Sequence, residues 1–369
     1  MTNQLDVGGI ETNLRLLTAE LTARGHNVAV AARPGTLSGQ IELAGAHLVV
    51  LKAQLRRPLS VVFDANQVRR AFASFRPDVV HVMSASAAVV VAAARRGRHG
   101  RPPVIASPMG LQLSPNEAPG LVLLRAWLTA LGAQRVIAVS PAIEARLRRL
   151  GIGRRRLVSG LVVGVELPDL GEARQMRALA REQLGVGPDE QLIMTIGTLK
   201  PSKSHELFVR AAAALVERGS EARFVIIGEG PVRPELEEEI SRLSLTDRVL
   251  LLGERHPAAD LLWAADVCVR PGVLEGFVGI TVLEAQARGV PVVAFETEDV
   301  KAAIENGVSG LLVTPGDVGA LADAVRSVLE EHSLAGMLAR GGRETVERKF
   351  GLRAVTDRLE EMYGSVVEC

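Results

Sequence analysis

The sequence predicts an α/β chain of two layered units, each built from parallel strands that alternate with helices. Three observations carry this reading. The 369 residues are rich in Ala, Val, Leu and Gly, while aromatic residues make up 3%. Short apolar runs of strand length recur between amphipathic stretches, as expected for parallel strands covered on both faces. The two halves read as two copies of one architecture, and the length suits two domains of ordinary size.

The first half opens on Asp6-Val7-Gly8-Gly9-Ile10-Glu11, which leads into a helix with apolar residues at Ile10, Leu14, Leu17 and Leu21. Gly25 ends it, and a strand follows at 28–31. His26 lies in the helix-to-strand turn and reads as structural. A glycine-bearing loop in a wound α/β unit follows a strand, yet only Met1-Thr2-Asn3-Gln4-Leu5 precedes it. The first strand is therefore expected to lie upstream of the numbered chain. Further strands are expected at 47–51, 78–83, 104–107 and 135–140, with helices between them. One of these helices, at 121–131, carries Trp127 and several Leu and is expected to pack in the core, with contact to a membrane or acceptor as the alternative. His81 falls inside a strand and reads as a satisfied core residue. A linker is expected at 167–173.

The second half begins with a strand, Gln191 to Ile196, that ends in Gly197. Thr198-Leu199-Lys200-Pro201-Ser202-Lys203 follows, then an amphipathic helix through Leu215. Strands are expected at 224–227 and 249–253, the first ending in Gly228-Glu229-Gly230-Pro231, a weak nucleotide signal by itself. Next come a strand at 266–269, the loop from Pro271 to Gly279, and a helix from Ile280 to Gly289. A buried strand at 290–295, one at 310–313 and terminal helices complete the order.

The loop and helix start at 271–280 put backbone N–H groups and a positive dipole end at the carboxyl edge of a sheet, which is an anion site. Glu275 and Glu284 flank it. A carboxylate beside a phosphate cradle is suited to accept hydrogen bonds from sugar and ribose hydroxyls, so the residues suit a sugar nucleotide. They suit equally an ordinary strand–loop–helix unit with a solvated Glu275 and a helix-surface Glu284.

Composition bounds the setting. Cys268 lies in an apolar strand and Cys369 ends the chain, so no disulfide framework exists, which points to a reducing compartment and a cytoplasmic location. There is no apolar run long enough to span a bilayer and no signal-peptide pattern. The net charge of +1 is divided unevenly. Residues 1–170 carry 21 basic and 10 acidic side chains, and the remainder carry 22 and 32. Arg95, Arg96, Arg98 and Arg101 cluster, as do Arg146, Arg148, Arg149 and Arg154 to Arg156. These read either as solvated side chains or as a face toward an anionic acceptor or membrane surface. Nucleic acid is disfavoured, because aromatic side chains for base stacking are scarce. No His/Cys/Asp cluster has metal-ligand spacing, so neither a metal nor a cofactor is expected.

The stretch Pro271-Gly272-Val273-Leu274-Glu275-Gly276-Phe277-Val278-Gly279, with Glu284-Ala285-Gln286-Ala287-Arg288-Gly289-Val290-Pro291-Val292-Val293-Ala294, resembles the donor-site signature of retaining glycosyltransferases of family 4. Gly8-Gly9-Ile10-Glu11, Arg24-Gly25-His26-Asn27-Val28 and the Gly197 to Lys203 loop extend the resemblance over nearly the whole chain. It departs at Gly272, where Ser is usual, and at Val278, which leaves eight residues rather than seven between Glu275 and Glu284. It also departs at Thr198, in place of Arg, and at Met83 and Met109, in place of His.

The resemblance implies the GT-B fold, with two Rossmann-like domains facing a cleft. Residues 1–168 form the acceptor-side domain and 174–350 the nucleotide-sugar domain, while 351–369 form a helix crossing back to the first. It implies transfer of a sugar, with retention, from a nucleotide diphosphate sugar to an acceptor hydroxyl in glycolipid, cell-envelope or exopolysaccharide synthesis. Lys203 and Glu275 are the implied catalytic residues. Gly9, Gly197, Gly276, Phe277, Gly279 and Glu284 complete the implied donor site, and Lys200 is the expected substitute for the absent Arg. The alternatives are a nucleotide-sugar-binding protein without turnover and a sugar-nucleotide epimerase of the same fold.

Overall fold

The structure is a computed structural model. It describes residues 5, 9–52, 58–95, 102–107, 120, 124, 127–128, 130, 132–138, 141–149, 151–152, 157–160, 163–273 and 279–367. The chain divides into two compact units, Met1–Gly164 with Phe350–Cys369, and Val165–Lys349.

In the first unit, helix α1 (Gly9–Ala23) leads to β1 (Ala29–Ala32), α2 (Ser38–Leu43), β2 (His47–Val50) and α3 (Pro58–Phe75). Then come β3 (Val80–Val82), α4 (Ala85–Ala94), β4 (Val104–Ala106), β5 (Arg135–Ala138), α5 (Pro141–Arg149) and β6 (Leu157–Ser159). Every described strand pair is parallel. β1 pairs with β2, while β3, β4, β5 and β6 lie in that order in a separate sheet. Leu5 is fully buried against Val30, Ala32 and Ile41, and its backbone bonds Arg33 at 3.1 Å and Leu37 at 2.9 Å. Other residues ahead of α1, where a strand was expected to be missing, lie outside the described ones.

The last helix belongs to this first unit. Arg24, at the end of α1, donates to Asp357 at 2.5 Å and Glu360 at 2.7 Å, and His26 meets Glu360 at 2.6 Å. His81, at the middle of β3, sits between the Tyr363 hydroxyl at 2.8 Å and the Ser107 hydroxyl at 2.6 Å. His26 and His81 thus both hold the terminal helix, which accounts for them structurally. One expectation is corrected. Leu124 and Trp127 are 48% and 50% exposed rather than packed in the core. Their helix turns these apolar side chains toward solvent, a surface role that the count of Leu residues did not distinguish from burial.

Among the described residues the second unit is built on a six-stranded parallel sheet. Its elements are α6 (Ala173–Leu184), β7 (Leu192–Ile196), α7 (His205–Glu217), β8 (Arg223–Ile227), α8 (Arg233–Arg242), β9 (Val249–Leu251) and β10 (Val267–Arg270). They continue with α9 (Ile280–Ala287), β11 (Val292–Phe295), β12 (Leu311–Val313), α10 (Val318–Glu330) and α11 (His332–Lys349), before α12 (Leu352–Val367) returns to the first unit. Strand order is β12-β11-β10-β7-β8-β9. All residues of β10 and β11 are buried, so β11 reads as an apolar run throughout and β10 as one up to its last residue, with helices on both faces. One residue breaks that run. Arg270, the last of β10, is charged and buried.

The order of strands fixes where a ligand meets this sheet. From β7 the chain winds outward through β8 to β9, then crosses back to β10 on the other side of β7. Loops leaving the carboxyl ends of β7 and β10 therefore run in opposite directions. Such a switch point opens a crevice at the sheet edge.

Candidate functional site

A cavity lies at that switch point. It is lined by Thr195 and Ile196 from β7, Lys203 and His205 from the connection to α7, Cys268 to Gly272 from the end of β10, and Gly279, Thr281 and Val282 from the start of α9. Lys203 closes a single 3-10 turn, Pro201–Lys203, and the chain then passes through Ser204 with φ of 50° into α7. That left-handed residue reverses the backbone and leaves the half-buried Lys203 on the cavity wall.

Backbone hydrogen bonds hold the Lys203 loop against a second loop. Gly197 N donates to Ile227 O at 2.9 Å, Leu199 N to Glu229 O at 2.9 Å, and Val232 N to Leu199 O at 3.2 Å. This crossing explains the Gly228-Glu229-Gly230 turn. A Cβ on Gly230 would stand 2.3 Å from Leu199 O, and one on Gly228 would stand 2.0 Å from Gly197 O. The glycine pair, a weak nucleotide signal in the sequence, lets two loops touch.

Helix α9 contributes its amino end. Gly279 is its N-cap and has no side chain to bond the first N–H groups, and Gly279, Thr281 and Val282 line the cavity, with Val282 N donating to Gly279 O at 3.0 Å. Thr281 Oγ1 donates to Ile196 O at 3.2 Å and so pins this end of α9 to β7. The other end is tied as firmly. Gln286 Nε2 donates to Ala303 O at 3.1 Å and Ser309 O at 2.9 Å, and Arg343 donates to Ala287 O.

Glu284 stands one turn into α9 and is not part of the cavity lining. Burial pushes its carboxyl above the usual carboxylate range. Arg288, the next turn along, opposes this, while Asp260 and Glu166 add to it. Arg288 is itself engaged, donating to Asp260 at 2.9 Å and lying 5.7 Å from the Trp263 ring centroid. Cys268 is buried and free, and burial raises its thiol to about 12, so it acts as an apolar filler.

The structure thus brings Lys203 and Gly279 to one cavity, while Gly197 follows β7 and Glu284 lies in α9, both outside its lining. Gly9 begins α1 in the other unit. Glu275, Gly276 and Phe277 lie outside the described residues, as do Val278 and Met109. Lys200 is exposed and does not line the cavity. The second cation on the cavity wall is instead Arg270, which sequence reasoning missed. Its one signal was an arginine ending an otherwise apolar strand. Among the described residues, no group of three or more His, Cys, Asp or Glu side chains could hold a metal ion. No described helix is long and apolar enough to cross a membrane.

Two family models match the chain. The model described as Glycosyltransferase Family 4 matches residues 7–159, and that described as Glycosyl transferases group 1 matches residues 190–331. This chain belongs to glycosyltransferase family 4. Its similarity to an alpha-D-kanosaminyltransferase of Streptomyces kanamyceticus is 32% identity over 197 residues, covering 53% of this chain and 50% of that protein. A D-inositol 3-phosphate glycosyltransferase of Catenulispora acidiphila is 33% identical over 250 residues, covering 64% and 57%. The chain thus spans about half the length of the curated relatives it matches. The solved structure of Anabaena Alr3699/HepE, in complex with UDP and glucose, superposes with a TM-score of 0.82 at 21% identity, covering 99% of each chain. That likeness shows the fold. The family 4 chain is a GT-B protein of two Rossmann-like units.

Proposed function

We propose that this family 4 chain transfers a sugar from a nucleoside diphosphate sugar to an acceptor hydroxyl, with retention of anomeric configuration. The observation that carries the reading is the cavity at the β7–β10 switch point, where Lys203 and the amino end of α9 face one space. A diphosphate leaving group gains negative charge as its bond to the sugar breaks. Lys203 and the α9 N–H groups stabilise that charge where it develops, and one such contact is worth about 3–4 kcal/mol in the transition state. The acceptor oxygen bonds to the anomeric carbon on the face from which the diphosphate departs. Its proton passes to the departing phosphate oxygen, so no Ser/His/Asp triad and no metal is needed.

Glu284 accepts hydrogen bonds from the ribose, and Glu275 from the donor sugar. Gly9, Gly197, Gly276 and Phe277 complete the donor surface. The likeness to a protein solved with UDP and glucose supports a nucleotide-sugar donor. The basic first half suits an anionic or lipid-linked acceptor and contact with the inner face of a membrane. Cell-envelope or exopolysaccharide synthesis is the setting such an acceptor implies.

Calorimetric titration with UDP, GDP and ADP sugars tests the donor reading. One of them is expected to bind saturably, and Lys203→Ala and Glu284→Ala are each expected to weaken that binding. Unchanged affinity in both variants overturns the site. Donor binding without release of nucleoside diphosphate across a panel of acceptors would instead favour a binding protein, the reading to which Thr198 and Met83 lean.

A further inference from the structure

Arg270 ends a strand whose other residues are apolar, yet its side chain is only 7% exposed. Its Nη2 meets Asp299 Oδ2, itself 6% exposed, at 2.6 Å. Its Nη1 donates to Gly272 O at 3.1 Å and to Thr297 Oγ1 at 3.3 Å. One guanidinium therefore joins two segments. The first is the Pro271–Gly272 turn, where the loop toward Gly279 begins. The second is the stretch after β11 that carries Thr297 and Asp299.

Stability alone is a poor reason for this arrangement. A buried ion pair loses hydration on both sides, and a well-packed apolar pair in its place is often neutral or stabilising. What the pair supplies is direction. The planar fork of an arginine fixes several donors at once, which an ammonium group cannot do. Gly272 has no side chain with which to anchor its own turn. Arg270, Pro271 and Gly272 also form part of the wall of the cavity that holds Lys203 and the start of α9.

We propose that Arg270, set by Asp299, is a positioning residue: it fixes Pro271 and Gly272 on the wall of the donor cavity, so that this wall meets the nucleotide sugar at a constant distance. This rests on the donor-site reading above. Arg270 need not touch the substrate, because its Nη1 and Nη2 are already committed to Gly272, Thr297 and Asp299.

Two variants test this. Arg270→Leu with Asp299→Leu removes the pair without leaving a lone buried charge. Arg270→Lys keeps the charge beside Asp299 but loses the fork. The first readout is hydrogen exchange at the amides of residues 272–279, which needs no activity. Faster exchange there, with the rest of the sheet unchanged, is expected in both variants. The second readout is the split between turnover and binding. The kcat is expected to fall about ten- to a hundred-fold, since small misplacements of a donor cost that much. Affinity for the nucleoside diphosphate alone is expected to change by less than about three-fold, or about 0.6 kcal/mol, because Lys203 and α9 carry it.

Unchanged exchange at 272–279 in both variants, or wild-type kcat in either, overturns the proposal. Loss of diphosphate affinity in step with loss of the folded state also overturns it, since that is a structural role only. A wild-type chain that binds no nucleotide sugar would sink the donor-site reading instead, and the exchange comparison would still decide the role of Arg270.

Discussion

Replacing Gly230 with alanine probes the contact on which the Lys203 loop rests. The added Cβ would lie 2.3 Å from Leu199 O, 2.7 Å from Leu199 C and 2.9 Å from Leu199 N. All three are backbone atoms, so no side chain can swing aside. Ordinary carbon contacts sit near 3.5 Å, so the two loops must part by roughly 1 Å. Overpacking of this kind costs about 1–3 kcal/mol. The displacement also strains the Leu199 N to Glu229 O bond at 2.9 Å and the Val232 N to Leu199 O bond at 3.2 Å. Each backbone bond lost adds about 1 kcal/mol. The sum is about 2–5 kcal/mol, a large share of a typical domain's stability of about 5–15 kcal/mol. For a unit of this size the thermal midpoint should fall by roughly 5–15 °C. Thermal unfolding followed by circular dichroism measures this, and calorimetry measures nucleotide-sugar affinity in the same sample. Affinity should fall as well, because the same loop carries Lys203. A variant that melts with the wild type and binds donor equally well would refute the close-approach reasoning.

The remaining predictions concern buried groups and the donor cation. Lys203→Ala should lower kcat/KM about a hundred-fold or more, with little change in thermal midpoint, if it stabilises the leaving diphosphate; steady-state kinetics with the identified donor checks this. Glu284 has a carboxyl pKa raised by burial, so its neutral form is favoured in the folded chain. That advantage is fully present below the ordinary value of 4.5 and is lost as pH rises through the native value. Glu284→Gln should therefore raise the thermal midpoint at neutral pH and not at pH 4, while weakening donor binding; equal midpoint differences at both pH values would contradict the burial argument. His81 has the opposite sign. Desolvation holds its ring at about 3, so the unfolded chain binds the proton more tightly and stability falls as pH drops from 6.5 toward 3. The loss is about 2 kcal/mol between pH 6.5 and 5, and His81→Asn should flatten that slope in urea unfolding. Tyr363, the sole tyrosine, has its hydroxyl pKa pushed up by burial. Its tyrosinate absorbance should therefore appear in alkaline titration only as the chain unfolds, and an earlier rise would show that the His81 contact is open to solvent.

What could be read from the sequence, and what could not, divides along one physical line. The strands of the second unit were legible because each is covered on both faces. Cys268 and Val292 to Phe295 are all buried, and such strands announce themselves as apolar runs. The expected bounds at 266–269 and 290–295 differ from Val267–Arg270 and Val292–Phe295 by a residue or two, because Val290 and Pro291 prolong one apolar run ahead of its strand and the charged Arg270 ends the other. Lys203 and Gly279 were legible as candidates because each follows a strand that points its loop at the sheet edge. Their meeting at one cavity depended on β10 lying beside β7, which the strand order fixes and neither local segment states.

Arg270 fails to show in a single sequence for a different reason. A charged residue at a strand end ordinarily reaches solvent, and its stem covers apolar surface on the way. Only the parallel pairing of Arg270 with Ala294 brings the stretch after β11 close enough for Asp299, 29 residues away, to hold it. The same is true of His81, whose partner Tyr363 is 282 residues distant on the returning helix. Apolar period reports whether a residue is covered, and turn chemistry reports where the chain bends. Neither reports which polar groups meet once it has bent. Both buried polar pairs therefore escaped the sequence, and each joins elements far apart in the chain. In the second unit that join falls on the wall of the candidate donor cavity, where a turn without side-chain anchorage leads into the loop toward Gly279. A pair of this kind costs hydration and gains orientation, and orientation is what transfer from a bound donor demands.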